Sequence, residues 1–209
     1  GPAPGLVTPQ FRVMQRDGLE RNSRIKTLFY QSDFLLTSGD LSRMPNAISV
    51  GAVGPKRNKM ALAMNMDERN SEGWVLAEGN VQRGRDEEPC KIVSPSGYPV
   101  EFVEYSPNEK YLLYSRRLPR GDVELWLAEP DLGAPANTMI ARGNVRVLPG
   151  AFKPDSSEFT YAIRRGAGGF SLVRVRSLDG TELEEIAKGY SACWSRNRNL
   201  LVAVMPDLM

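Results

Sequence analysis

The chain has 209 residues, 41% of them hydrophobic and 25% charged, with a formal net charge of +2. It is long enough to bury a real core and too apolar to be disordered. The near balance of charge gives no broad electrostatic case for nucleic acid, which usually demands a strongly basic face, and no apolar run approaches the roughly 20 residues of a membrane-spanning helix.

In chain order, Phe11 to Met14, Arg24 to Tyr30 and Phe34 to Thr37 read as strands within a first segment, residues 1–46. From residue 47 a phrase recurs before each β-like run. It reads Val53-Gly54-Pro55-Lys56-Arg57-Asn58-Lys59, then Tyr105-Ser106-Pro107-Asn108-Glu109-Lys110, then Phe152-Lys153-Pro154-Asp155-Ser156-Ser157. A worn copy, Trp194-Ser195-Arg196-Asn197-Arg198-Asn199, closes the series. Repeats of roughly 40–50 residues built from short strands specify a β-propeller.

The second repeat shows the expected unit best. Val100 to Tyr105 is a first strand, Lys110 to Ser115 a second, and Val123 to Glu129 a third with alternate apolar residues. Asn137 to Ala141 is a short fourth strand. The neighbouring repeats supply Trp74 to Glu78 and Phe170 to Ser177 as third strands, with Cys90 to Val93 and Leu183 to Ala187 as outer strands. Leu183 to Lys188 could also form one helical turn, but its place in the repeat argues for a strand.

The fold class is therefore all-β: a partial or small propeller of four to five blades, each a four-stranded antiparallel sheet. Residues 1–46 form a degenerate blade or a ring-closing segment, and residues 47–209 carry the repeats. The last repeat holds two strands where a blade needs about four. Either the N-terminal strands complete it or more chain does.

The run Tyr105-Ser106-Pro107-Asn108-Glu109-Lys110 followed by Val123-Glu124-Leu125-Trp126-Leu127-Ala128-Glu129 resembles the TolB-like (WD40-like) propeller repeat. That repeat runs Trp-Ser-Pro-Asp-Gly-Lys, an apolar strand, a polar hairpin, and a strand ending in an Asp-Gly turn. Trp194-Ser195, Pro154-Asp155 and Leu178-Asp179-Gly180 match its opening, middle and end. No repeat carries the full Pro-Asp-Gly. The resemblance implies a non-catalytic protein-interaction scaffold, a subunit or domain of a larger assembly, with the periplasm or cell envelope as its place. It also admits the regulatory propeller of a prolyl-oligopeptidase-like serine peptidase, or a glycan-binding propeller. The partner is a protein or the remainder of a longer chain, with no nucleic acid and no direct membrane insertion.

The chain contains no histidine, which eliminates Ser-His-Asp and Cys-His machinery and the usual catalytic zinc sites. No enzyme activity and no catalytic, cofactor-binding or metal-ligating residue is expected. Cys90 and Cys193 have neither zinc nor redox spacing; they form a disulfide only if the ring closes them together, and otherwise read as two free, partly buried thiols. Gly166 to Gly169 joins two strands with no helix after it, so it reads as a hairpin rather than a phosphate cradle. Asp67, Glu104 and Asp155 offer carboxylates, but no spacing singles out a glycosidase pair. The tryptophans at 74, 126 and 194 read as inter-blade packing.

One constellation suits partner binding. Arg116, Arg117 and Arg120 lie in one inter-strand hairpin, Arg164 and Arg165 in the next, and Arg69 in the one before. Equivalent hairpins emerge on one face of a propeller, so these arginines are expected to line one rim and to dock an acidic segment.

Overall fold

The structure is a computed structural model that describes residues 12–16, 25–30, 47–56, 58–66, 72–80, 91–94, 97–130, 136–176, 178, 180–181, 183–197 and 199–205. The described elements are strands. β1 (Arg12–Arg16) and β2 (Ile25–Tyr30) form an antiparallel hairpin. β3 (Ala47–Val53), β4 (Lys59–Asn65), β5 (Trp74–Asn80) and β6 (Lys91–Ile92) form a four-stranded sheet in sequence order, blade 1.

Blade 2 is β7 (Val100–Tyr105), β8 (Leu112–Arg117), β9 (Val123–Glu129) and the first part of β10 (Ala136–Arg146). Blade 3 takes the end of β10 with β11 (Phe159–Arg164), β12 (Phe170–Val175) and β13 (Leu183–Lys188). Blade 4 is β14 (Ser191–Trp194) and β15 (Leu201–Val204), a two-stranded sheet. The stretch from Leu183 is a strand, as its place in the repeat required.

β10 is longer than the short fourth strand expected at Asn137 to Ala141. Residues 136–143 pair with β9 as the outer strand of blade 2, and residues 144–146 pair with β11 as the inner strand of blade 3. The chain swings from one role to the other at Gly143, whose φ of +130° a side chain would strain. The second strand of blade 2 begins at Leu112 rather than Lys110, because residues 106–111 belong to the turn. There the Ser106 N–H donates to the Tyr111 carbonyl at 2.9 Å.

Strand alternation gives each central strand two apolar faces, and each face packs on a different blade. Ala61, Ala63 and Leu76 of blade 1 meet Leu112, Tyr114 and Ala128 of blade 2. The opposite face of blade 2, with Leu113, Leu125 and Leu127, meets Phe159, Tyr161 and Val173 of blade 3. Ala162, Phe170 and Leu172 of blade 3 then meet Ala192, Leu201 and Ala203 of blade 4. β4, β8 and β11 are therefore buried on both faces. β15 is covered on one face only, and Val202 and Val204 are 58% and 56% exposed.

Candidate functional site

The four copies of the recurring phrase are the turns between the first and second strands of blades 1 to 4. Each spans the same length, closing pairs Val53–Met60, Tyr105–Leu112, Phe152–Phe159 and Trp194–Leu201. Residues of all four blades line a cavity of about 530 Å³ beside these turns, with Pro55, Pro107, Pro154 and Arg196 contributed by the turns themselves.

Among the described residues, Glu104 is the one carboxylate lining that cavity. It accepts hydrogen bonds from the Gly150 N–H at 2.9 Å and the Ala151 N–H at 3.1 Å, tying β7 to the segment of blade 3 that follows β10. Desolvation raises its pKa above the ordinary value, against the opposing pull of those two N–H groups and of Arg196. Its bonds are structural. Among the described residues no second carboxylate lines the cavity for acid–base work, and no cluster of metal-ligating side chains occurs.

At the opposite ends of the same strands, after β8 and β11, lie the hairpins that carry the arginines. Arg116 is not on the rim. It is 8% exposed, bonds Glu124 at 3.0 Å and stacks over the Trp126 ring at 4.8 Å. Adjacent strand residues point to opposite faces, so Arg117 is exposed, where it pairs with Glu101 at 2.5 Å. Arg120, Arg164 and Arg165 are exposed at hairpin tips, and the Arg164 Nε–H donates to the Gly168 carbonyl at 3.0 Å. Arg69, Cys90 and the strand expected at Phe34 to Thr37 lie outside the described residues. Cys193 is a free thiol.

Arg117 lines a second cavity of about 370 Å³, shared with Phe102, Val145, Arg146, Leu148 and Tyr190. Arg146 was not among the arginines expected from the sequence. Its guanidinium lies over the Phe170 ring at 4.2 Å. The signal that would have found it is the alternation Asn144-Val145-Arg146, with Val145 buried between two exposed neighbours.

Among solved structures, TolB from Acinetobacter baumannii matches 88% of this chain with 41% of its own, at 13% identity and a TM-score of 0.54. The β-propeller domain of the trilobed protease from Pyrococcus furiosus, described as having an open velcro topology, matches 89% with 56% of its own, at 7% identity and a TM-score of 0.54. Chaetomium thermophilum Sqt1, bound to the N-terminus of ribosomal protein L10, matches 94% with 51% of its own, at 17% identity and a TM-score of 0.50. The fold is a diverged TolB-like, WD40-like β-propeller. No family model matches the sequence, and no curated protein matches it. The chain spans about half the length of the solved propellers it matches.

The departure from the TolB-like Pro-Asp-Gly now has a physical reading. Glu109 and Ser156 occupy the glycine position of the repeat and hold φ of 61° and 62°, the left-handed region that glycine enters freely. Each uses its side chain on the preceding blade. Glu109 accepts from the Lys56 N–H at 2.5 Å, and Ser156 Oγ accepts from the Asn108 N–H at 2.9 Å. Lys56 and Asn108 are equivalent positions, directly after Pro55 and Pro107. A repeated inter-blade latch thus stands where the repeat usually has a strain-free glycine. The fourth copy has Arg198 there, a side chain with no acceptor. Glu109→Ala keeps the strained φ and loses the bond, and is expected to cost about 2 kcal/mol. Glu109→Gly loses the bond but relaxes the backbone, and should cost roughly 1 kcal/mol less. Urea unfolding of both variants measures the difference.

Proposed function

We propose that the chain is a non-catalytic protein-interaction propeller, a subunit or domain of a larger assembly. The observation that carries this is blade 4. Among the described residues three blades have four strands, while β14 and β15 stand as a pair. Leu200, Val202, Val204 and Met205 are each about half exposed or more. A strand with an unpaired edge and an apolar open face is a template for further β structure. The occupant is a protein partner or the remainder of a longer chain, with residues 1–46 acting as a degenerate blade or ring-closing segment. The likeness to Sqt1 supports a protein-binding role. The cell-envelope location implied by the TolB-like resemblance belongs to the same reading, and fractionation of cells expressing the full-length gene product tests it.

A peptidase-linked propeller is the second reading, favoured by the likeness to the trilobed protease propeller. It calls for a hydrolase domain elsewhere in the full-length gene product.

Light scattering tests the open blade. The purified chain is expected to self-associate as concentration rises. The double substitution Val202→Lys with Val204→Lys should suppress this while leaving the circular dichroism unchanged, because lysine on an edge strand opposes pairing. A chain that stays monomeric at high concentration, with β15 amides as protected from exchange as those of β8, would overturn the reading.

A further inference from the structure

The cavity near the hairpins has two kinds of wall. Phe102, Val123 and Val145 give it an apolar lining, with Val123 and Val145 buried. Arg117 and Arg146 give it charge. The two arginines are not equivalent. Arg117 is already satisfied by Glu101. Arg146 is exposed and stacks on Phe170, and among the described residues no carboxylate lies within ion-pair distance of it. Stacking on a ring face holds a guanidinium plane fixed and leaves its in-plane N–H donors available, a fork matched to a carboxylate.

The register adds a second charge. Arg146 pairs with Ala162 and Asn144 with Arg164, while Ala162 and Arg164 pair in turn with Leu172 and Phe170. Arg146 and Arg164 are therefore diagonal neighbours on the face that also carries Phe170, and such neighbours lie roughly 7–8 Å apart. Tyr190 packs against the same ring, with centroids 6.1 Å apart, and remains 42% exposed. Two like charges side by side, next to an apolar cavity of about 370 Å³, complement a negative group joined to an apolar one.

We propose that this groove, between blades 2, 3 and 4, receives an acidic peptide segment. One carboxylate of the segment pairs with Arg146, and a neighbouring apolar side chain enters the cavity beside Phe102 and Val145. The inference rests on the protein-interaction reading and names the chemistry of the partner. A polyphosphate backbone fits less well, because Glu101 stands on the cavity wall and the net charge of the chain is only +2.

The experiment is fluorescence anisotropy on the full chain at low salt. The probes are a labelled hexapeptide of alternating leucine and glutamate, its glutamine and lysine counterparts, and a labelled oligouridylate. The glutamate peptide is expected to bind saturably and to weaken on the order of 10-fold in Arg146→Gln, with a smaller loss in Arg146→Lys, which keeps charge but not the fork. Arg176→Gln, exposed, paired with Glu184 and outside the groove, should change binding by less than about twofold. Circular dichroism of each variant confirms that the fold is intact. Absent binding, equal binding of the glutamine peptide, an unchanged affinity in Arg146→Gln, or tighter binding of the oligouridylate would each overturn the proposal. These failures leave the light-scattering test of blade 4 standing, so the two readings fall separately.

Discussion

Replacing Glu124 with alanine is expected to lower the free energy of unfolding by about 3–5 kcal/mol, the loss typical of breaking one side of a buried ion pair. Glu124 and Arg116 face each other on neighbouring strands β9 and β8, and both side chains are about nine-tenths buried. Glu124 also accepts from the Trp126 indole N–H at 3.1 Å. Removing it leaves a guanidinium with no counter-charge in a tight site, where even a Cβ on Gly97 would come within 2.6 Å of Arg116 Nη1. Arg142, 3.8 Å from Glu124, is largely exposed and its charge is screened by water. The pair Arg116→Met with Glu124→Leu is expected to recover most of the loss, since apolar residues of similar volume often replace a buried ion pair at little cost. Urea denaturation of the two single variants and the double variant measures the coupling. An additive double variant would show that the two charges do not depend on each other.

Glu104→Ala is expected to cost about 2 kcal/mol, because two backbone N–H groups lose a shared acceptor in a half-buried site. The pH dependence separates this from simple packing loss. Burial raises the folded pKa of Glu104 above its unfolded value. The folded state therefore holds a proton that the unfolded state releases, at any pH between the unfolded value of about 4.3 and the raised folded one. Glu104 accordingly contributes more stability on the acid side of that window, and the contribution falls as pH rises through it. Thermal unfolding of wild type and Glu104→Gln, compared from pH 7 to pH 5, should show the wild type gaining on the variant as pH drops. Parallel curves would mean that Glu104 titrates as an ordinary surface carboxyl. Asp155 works in the opposite sense, its pKa held below the ordinary value by hydrogen bonds from Ser157 and by Lys153. The wild type minus Glu104→Gln difference cancels it.

The candidate site was only partly legible in the sequence. Arg116, Arg117 and Arg120 look like one cluster when read along the chain. On a strand, alternation decides which side of the sheet each occupies, and that parity sends Arg116 into the inter-blade core and Arg117 to the surface. Nothing local singles out Arg146, because the sequence pattern ends the fourth strand at Ala141 while β10 continues to Arg146. Its importance arises from Phe170, which lies far along the chain and meets it only when blade 3 forms. The glycine position of the turns shows the same limit. Glu109 and Ser156 read as departures from the repeat, and their latching role depends on backbone N–H groups about 50 residues away in the preceding blade.

By itself the sequence determined the all-β repeat, the position of the four turns, and the bounds of strands such as Val100–Tyr105 and Val123–Glu129. These follow from local chemistry: proline and asparagine set the turns, and period-two alternation sets the strands. It also excluded histidine-based catalysis. The tertiary structure alone decided which charges are buried, what Glu104 holds, and which arginines share a cavity. It alone decided that blade 4 leaves one apolar face open. Each of those depends on contacts between blades, and side-by-side packing of sheets joins residues that no local pattern along the chain connects.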